Sequence, residues 1–404
     1  MNNDISDFLI IGAGIIGLTL ARAIKKHYPN ATITILEKEK TIGKHASGRN
    51  SGVIHSGIYY PANTLKAKFC NEGAHLLISY AEENNIPIKK DGKIIIATSE
   101  EDIPSLNKLF ANATAHQINA EKITKDEIGE IEPYACSDFG GIYCKDTAVI
   151  NSQQVLESLT KELLHHNVKI EYDQKIIKID EKQKKVYTQN TTYCFGKLIN
   201  TAGAYADSIA KMVNVGNEYT LIPFKGTYYK LKPTVNHTVR ASIYPVPNPN
   251  LPFLGVHLTR VITGDVYVGP TVIPTLGREN YNGFQGLNLP EGINITQQLM
   301  KLYYKNTQNF RSLVKVAAAQ LTQSGVVHSA RRLVNTLESS WVEKSPKVGI
   351  RPQLLNTKTM QLEMDFLIKN GKHSLHVLNS ISPAFTSSFA VANHLVTQIN
   401  QQSH

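Results

Sequence analysis

The sequence predicts an α/β and α+β chain in two interleaved parts: a Rossmann-like dinucleotide-binding domain and a discontinuous second domain built on a mainly antiparallel β-sheet. Three observations predict it. Residues 8–36 read as strand, glycine-rich turn, helix and strand, the size of one βαβ crossover. Later strands are short, punctuated by Pro and Gly, and interleaved with helical stretches rather than grouped. The length, 404 residues, corresponds to two or three domains at about 150 residues each.

Taken in order, residues 8–11 form a continuous apolar run, the mark of a strand buried on both faces. Residues 17–26 follow as a helix and 33–36 as an alternating, β-branched strand. Val155, Leu156, Leu159, Leu163 and Leu164 fall on one stripe of a helix over 151–165, with Asn151 or Ser152 as its cap. Short strands are expected at 168–172, 175–179, 184–188 and 197–200, the last ended by Thr201-Ala202-Gly203. Residues 93–97, 227–231, 242–244, 255–258 and 265–268 are expected to form a second sheet. Residues 295–322 read as two helices, 376–378 as a late strand and 386–399 as a terminal helix. The resulting division assigns 1–80, 148–222 and 340–404 to the nucleotide-binding domain, and 81–147 and 223–339 to the substrate domain.

Composition narrows the function. Hydrophobic residues make up 42% and charged residues 19%, which excludes a disordered or fibrous chain. No repeat of 20–50 residues is visible. Lys plus Arg is 43 and Asp plus Glu 33, a net charge of +10. That excess suits an anionic ligand or an anionic membrane surface. Without a run of five or six basic residues it argues against nucleic acid. Cys70, Cys136, Cys144 and Cys194 form no CxxC and have no histidine pair at metal spacing. They argue against a disulfide framework or a metal site and for a reducing, cytoplasmic compartment. Residues 1–7 carry two aspartates and no basic residue, unlike a signal peptide. The apolar run 8–21 is too short and too glycine-rich to span a bilayer. Any membrane contact is expected to be peripheral, at the inner face of the cell membrane.

The sharpest motif is Gly12-Ala-Gly14-Ile15-Ile16-Gly17, directly after the first strand and opening the first helix. Gly12 permits the tight turn, Gly14 lets the backbone approach a pyrophosphate, and Gly17 lets helix and strand pack closely. The helix N-terminus offers N–H donors and partial positive charge to phosphate. Glu37, twenty residues on at the end of the second strand and followed by Lys38, is placed to accept from ribose hydroxyls. An acidic residue there argues against a 2′-phosphate, leaving FAD or NAD. Residues 45–60 follow: His45-Ala-Ser47-Gly-Arg49-Asn50-Ser51-Gly52-Val53-Ile-His55-Ser-Gly-Ile-Tyr59-Tyr60. Such a small, polar, glycine-rich stretch can lay backbone N–H groups along a flat heterocycle.

With these residues in view, the chain resembles the glycine oxidase and D-amino-acid oxidase superfamily of FAD enzymes. Within it, the chain is similar to the L-2-hydroxyglutarate dehydrogenase/oxidase family. Asn50 to Tyr60 carries the resemblance, with Leu65-Lys-Ala-Lys68, Pro223-Phe-Lys-Gly-Thr-Tyr-Tyr229, Tyr244-Pro-Val-Pro247 and Pro252-Phe-Leu-Gly-Val-His257. Gly349-Ile-Arg351-Pro-Gln and Ser382-Pro383-Ala-Phe-Thr386-Ser387 add to it near the C-terminus. It runs from residue 7 to about 397 and is least distinctive over 280–335. The resemblance implies noncovalent FAD and oxidation of an α-hydroxy acid to an α-keto acid, with L-2-hydroxyglutarate as the family's substrate. It also implies Ile176 near the adenine and Ala202-Gly203 near the pyrophosphate. The chain departs from the pattern at Arg49 (usually His), Lys225 (often Arg) and Thr271 (usually Asn), positions that bear on the distal substrate contact.

Oxidising an α-hydroxy acid requires a flavin N5 to take hydride, a base to take the hydroxyl proton and cations to fix the carboxylate. His55 is the first choice for the base, since an imidazole suits proton transfer near neutrality, and His257 is the second. Arg351 is the expected carboxylate anchor, because a guanidinium presents a bidentate fork. Tyr60, Lys225, Tyr244 and Arg260 are candidates for the distal end of the substrate. The terminal helix, entered through Pro383, Thr386 and Ser387, is expected to point its positive end at the flavin. The expected partners are a small 2-hydroxy acid and, as electron acceptor, oxygen or a quinone. The rival readings are an amino acid or glycerol 3-phosphate as substrate, or a flavin-binding module without turnover.

Overall fold

The computed structural model describes residues 5–249 and 251–401. Most of the segment 1–7, read above as unlike a signal peptide, lies outside them. Among the described residues, an eight-stranded sheet runs in the order Ile176–Asp180, Lys185–Thr188, Thr192–Asn200, Ile5–Ile11, Ile33–Leu36 and Lys169–Glu171. Ser374–Asn379 joins Thr192–Asn200 in parallel, and Leu367–Asn370 pairs beyond it. The first strand is apolar throughout because both its faces are covered. Ile10 packs among the helices Ile15–His27, Leu65–Glu83, Ser152–His165 and Ala384–Gln401, whereas Leu9 and Ile11 pack against Ile176, Ile179 and Phe195. Asn151 caps its helix by accepting from the N–H groups of Gln153 and Gln154.

The second sheet has ten strands, in the order Gln361–Leu362, Val342–Asn356, Tyr219–Leu231, Val266–Gly269, His257–Arg260, Ser242–Pro245, Lys93–Ile96, Gly141–Cys144 and Ala120–Ile123, with Ile273–Pro274 alongside Tyr219–Leu231. Its pairs are antiparallel except Ser242–Pro245 with Lys93–Ile96. Val342–Asn356, assigned by the boundary at 340 to the nucleotide-binding domain, hydrogen-bonds along most of its length to Tyr219–Leu231 and so belongs to this second sheet. A small third sheet, Val53–Ile54, Ala148–Ile150 and Ile88–Lys89, lies where the chain passes between the two.

Three local expectations shift. The strand expected at 255–258 starts at His257, because the Gly255 carbonyl accepts from the His257 ring instead of entering the ladder. The helical stretch 295–322 begins earlier, as Leu289–Lys305, and breaks where Asn306, Gln308 and Asn309 take positive φ before Phe310–Ala319. Helix Leu65–Glu83, capped by Thr64, stands where the sequence showed no element, and it begins with the Leu65–Lys68 segment that carries part of the resemblance.

Candidate active site

A cavity of about 1310 Å³ runs between the two large sheets and is lined by residues of both. It is larger than the roughly 300–1,000 Å³ of ordinary ligand pockets. One end is built on the glycine turn. Gly12 has a φ of +100°, and a Cβ there would stand 2.8 Å from the Thr201 carbonyl oxygen. A Cβ on Gly17 would overlap the Gly12 carbonyl oxygen, so this glycine closes helix onto strand without lining the cavity. The helix Ile15–His27 begins at Gly14 without a side-chain cap from its own N-cap residue. Ser47 Oγ, reaching over from the next segment, accepts from Ile15 N at 3.0 Å.

Glu37 accepts from the N–H of Ala13 (2.9 Å) and of Glu39 (3.0 Å), which fixes the carboxylate at the end of its strand. Glu37, Lys38, Ser47, Arg49, Asn50, Ser51, Val53, Ile176, Ala202 and Gly203 line the cavity with Gly12, Gly14, Ile15 and Ile16. Gly52 does not: its backbone, at φ +73°, packs on the Ile150 carbonyl and supports the wall from behind. Pro383, Ala384, Phe385 and Thr386 bring the N-terminus of the terminal helix to the cavity. Thr386 Oγ1 accepts from His55 N at 3.2 Å and donates to the Val53 carbonyl at 3.3 Å, pinning that helix end to the segment before His55. Ser387, one position deeper, is fully buried and does not reach the cavity.

Part of this wall comes from a segment in which the sequence showed no motif. Lys38 Nζ pairs with Glu279 (2.6 Å) and with Glu39, and Tyr205 OH donates to Glu279 (2.6 Å). Arg278 binds Asp207, Glu291 and the Ala204 carbonyl. His45 hydrogen-bonds Tyr281 OH (2.8 Å), and the Arg49 guanidinium sits 4.2 Å from that ring's centre. Arg49 thus braces Tyr281, and its guanidinium also donates to the carbonyls of Lys44 (2.6 Å) and Val348 (3.4 Å). Glu39, His45 and Glu279 come close enough to suggest a metal site, but the Lys38 ammonium already occupies their midst.

The other end gathers His55, Tyr59, Tyr60, Lys66, Tyr228, Tyr244, His257 and Arg351. Arg351 makes no ion pair among the described residues. Its guanidinium lies 5.8 Å from the centre of the Phe253 ring, and burial lowers its pKa while the hydroxyls of Tyr228, Tyr244 and Tyr60 oppose the shift. Lys66, 7% exposed, sits over the Tyr60 ring and is pushed down to about 8 by burial. His257 donates from Nδ1 to the Gly255 carbonyl at 2.8 Å and stacks on Tyr244 with ring centres 4.0 Å apart. That bond fixes the tautomer and leaves Nε2 as the acceptor. The His55 ring has no hydrogen-bond partner at Nδ1. Burial, then the charges of Lys93, His257 and Arg351, push His55 down to about 3. Burial, then Arg351 and Lys93, bring His257 to about 3 as well. Both are neutral at physiological pH.

Two expected substrate contacts lie elsewhere. Gly226 and Tyr228 line the cavity, so alternation turns Lys225 to the opposite face of its strand. Arg260 is three residues beyond His257 and also points away, donating to the carbonyls of Asn236 (3.0 Å) and Val239 (2.7 Å). Lys66 supplies the second cation in their place. It stood in a stretch already noted, Leu65 to Lys68, but only the helix turns it inward.

The residues present fit FAD. The glycine turn and open helix N-terminus suit its pyrophosphate, Glu37 its ribose, and the cavity has room for the dinucleotide beside a small substrate. Comparison with known proteins agrees. Residues 7–398 match the family model described as DAO, FAD dependent oxidoreductase. The chain is 35% identical over 395 residues to the L-2-hydroxyglutarate dehydrogenase of Indibacter alkaliphilus, covering 95% of this chain and 96% of that one. It is 32% identical to the Escherichia coli K12 L-2-hydroxyglutarate dehydrogenase, over 97% and 93% of the two chains. The fold matches that of the dithionite-reduced, FAD-bound L-α-glycerophosphate oxidase of Mycoplasma pneumoniae, with a TM-score of 0.76, 22% identity, and coverage of 98% and 95%. The motif, the cavity and these likenesses agree: the chain belongs to the DAO family of FAD-dependent oxidoreductases.

Proposed function

We propose that this protein oxidises L-2-hydroxyglutarate to 2-oxoglutarate with noncovalent FAD. The observation that carries the reading is the charge arrangement of the closed end of the cavity. Two cations, Arg351 and Lys66, face two neutral imidazoles. The lining carboxylates Glu37, Glu39, Glu279 and Glu291 are hydrogen-bonded at the dinucleotide end instead. Such a site matches a small dianion carrying an oxidisable hydroxyl, and the named relatives act on one.

Bound FAD supplies the acceptor for the hydride lost from the substrate carbon. Arg351 grips one carboxylate through its fork, and Lys66 attracts the other as a point charge. His257 Nε2 takes the hydroxyl proton, since its tautomer is already set by Gly255 and its ring is held by Tyr244. His55, first choice from the sequence, is assigned to hydrogen-bonding the substrate oxygens from the other side. The terminal helix end at Pro383–Thr386 would offer positive potential to the cofactor held in the cavity.

The electron acceptor is a quinone or oxygen. A quinone is favoured by an exposed apolar stripe on helix Leu289–Lys305. Leu289 (79% exposed), Ile293, Met300 and Tyr304 share it, Phe284 (89%) precedes it in the chain, and Lys301 and Lys305 of the same helix are exposed. Leu287 and Asn288 join it to the cavity rim. This supports peripheral docking on the anionic inner face of the cell membrane. Among the described residues no helix is long and apolar enough to cross a membrane. The test is anaerobic bleaching of the bound flavin by L-2-hydroxyglutarate, lactate, malate, amino acids and glycerol 3-phosphate, then reoxidation by air or a soluble quinone analogue. L-2-Hydroxyglutarate is expected to bleach fastest, and an oxidised spectrum with it would reject the assignment.

A further inference from the structure

Behind the two histidines lies a lysine that the reaction above does not use. Lys93 opens the strand Lys93–Ile96 and is 0% exposed. Its neighbours in register are Ser242 and Cys144. Alternation puts it on the face it shares with Ile95, and that face packs on Tyr244 and Tyr59. Nζ sits 4.6 Å from the centre of the Tyr59 ring and 5.2 Å from that of Tyr244. It has no hydrogen-bond partner. Two further buried polar atoms of the adjoining segment also lack one: His55 Nδ1 and Tyr59 OH. Native interiors rarely leave such groups unpaired, and three so close together mark a place kept polar for a purpose.

The groups facing Lys93 include no carboxylate among the described residues. They are Tyr59 and His55 from the 55–60 segment, Cys70 from helix Leu65–Glu83, Cys144, Tyr244 and His257, and Arg351 acts on the same two histidines. Burial keeps both thiols protonated, Cys70 rising to about 12. An ammonium here has two aromatic faces but no counter-ion, so burial lowers the pKa of the amine. A dianion held by Arg351 and Lys66 brings negative charge into the same enclosed space and raises it again.

We propose that Lys93 is a positioning residue that takes up one proton when a dicarboxylate enters the cavity, so that its ammonium, through His55, selects doubly over singly charged substrates. This rests on the dicarboxylate reading above. The proton comes from solvent and returns there when product leaves. A charged Lys93 disfavours a proton on the side of His55 that lies toward it, and an imidazole kept neutral in this way can still donate its one N–H to substrate.

The experiment uses the FAD-loaded enzyme, with 2-oxoglutarate as dianion and pyruvate as monoanion. Titration calorimetry in two buffers of different ionisation enthalpy counts protons taken up. Close to one proton is expected for 2-oxoglutarate and close to none for pyruvate. In Lys93→Met the uptake should vanish and 2-oxoglutarate should bind at least about tenfold more weakly, while pyruvate binding changes little. Its Tm should rise, because an apolar isostere replaces a buried amine without a partner. Kd for 2-oxoglutarate should climb more steeply with rising pH in the native enzyme than in the variant, where Lys66 still titrates. Uptake that persists in Lys93→Met, or a lowered Tm with unchanged selectivity, overturns the proposal. Should that variant not fold, absence of uptake by the native enzyme overturns it alone. Proton uptake without flavin reduction by L-2-hydroxyglutarate would instead reject the reading of the reaction and leave the Lys93 linkage standing.

Discussion

At the residue scale, the two histidines differ in what their hydrogen bonds permit. The Gly255 carbonyl decides where the His257 proton sits, whereas His55 keeps an unpaired Nδ1. His257→Ala should slow anaerobic flavin reduction at least about a hundredfold, the lower end of general-base contributions. His55→Ala should cost less in kcat and more in KM. Rapid-mixing absorbance measurements distinguish them, and equal losses would return the base to His55. The pH profile has a definite sign. A base protonates as pH falls, and burial holds both imidazoles near 3 in the empty site. The acid limb of kcat/KM should therefore lie at least about one pH unit below the ordinary imidazole value of 6.5. A limb at that value would mean the base is exposed. The histidines and Arg351 were legible as candidates because their residue types are chemically scarce. Which nitrogen is free was not, since it depends on a carbonyl that the chain turns back two residues earlier.

At the element scale, alternation sorts the candidates. A strand shows its odd and even residues to opposite faces, so one strand offers either His257 or Arg260 to the cavity. The sequence displays the alternation but not which face lines the cavity, and Lys225 and Arg260, candidates for the substrate, lie on the other one. Helix Leu65–Glu83 does the reverse, carrying Lys66 into the cavity from a segment of mixed polarity. The helix Leu289–Lys305 was expected to begin six residues later, and its exposed stripe was therefore invisible. That stripe predicts binding to phosphatidylglycerol vesicles. Leu289→Glu with Ile293→Glu should lower the bound fraction at least about tenfold, as expected for large apolar side chains kept out of the bilayer. Turnover with a soluble acceptor should be unaffected. Co-sedimentation checks it, and unaltered binding would remove the helix from any membrane contact.

At the scale of the whole molecule, acid sensitivity follows from histidines kept neutral inside. His376, between Asn200 and Ser374, is brought to about 4 by burial and joins His55 and His257. In all three the folded value lies below the unfolded 6.5, so the unfolded chain binds more protons there and stability falls as pH drops from 6.5 toward 4. Glu132, raised to about 7 by burial under the Arg240 and Ala241 N–H groups, works the other way and is more stabilising in acid. Three groups against one predict a net fall in Tm between pH 6.5 and 4.5, measurable by calorimetry. A flat profile would contradict the burial of these rings. The sequence by itself determined what depends on neighbours along the chain: the glycine turn, Glu37 at its strand end, the helix caps, and the residue types that oxidation of a hydroxy acid requires. Tertiary structure alone decided which of them meet. Residues 55, 66, 93, 257 and 351 come together only when two sheets close on one cavity, and the physical reason is burial. Water excluded from that space fixes which cations stand unpaired and which imidazoles stay neutral.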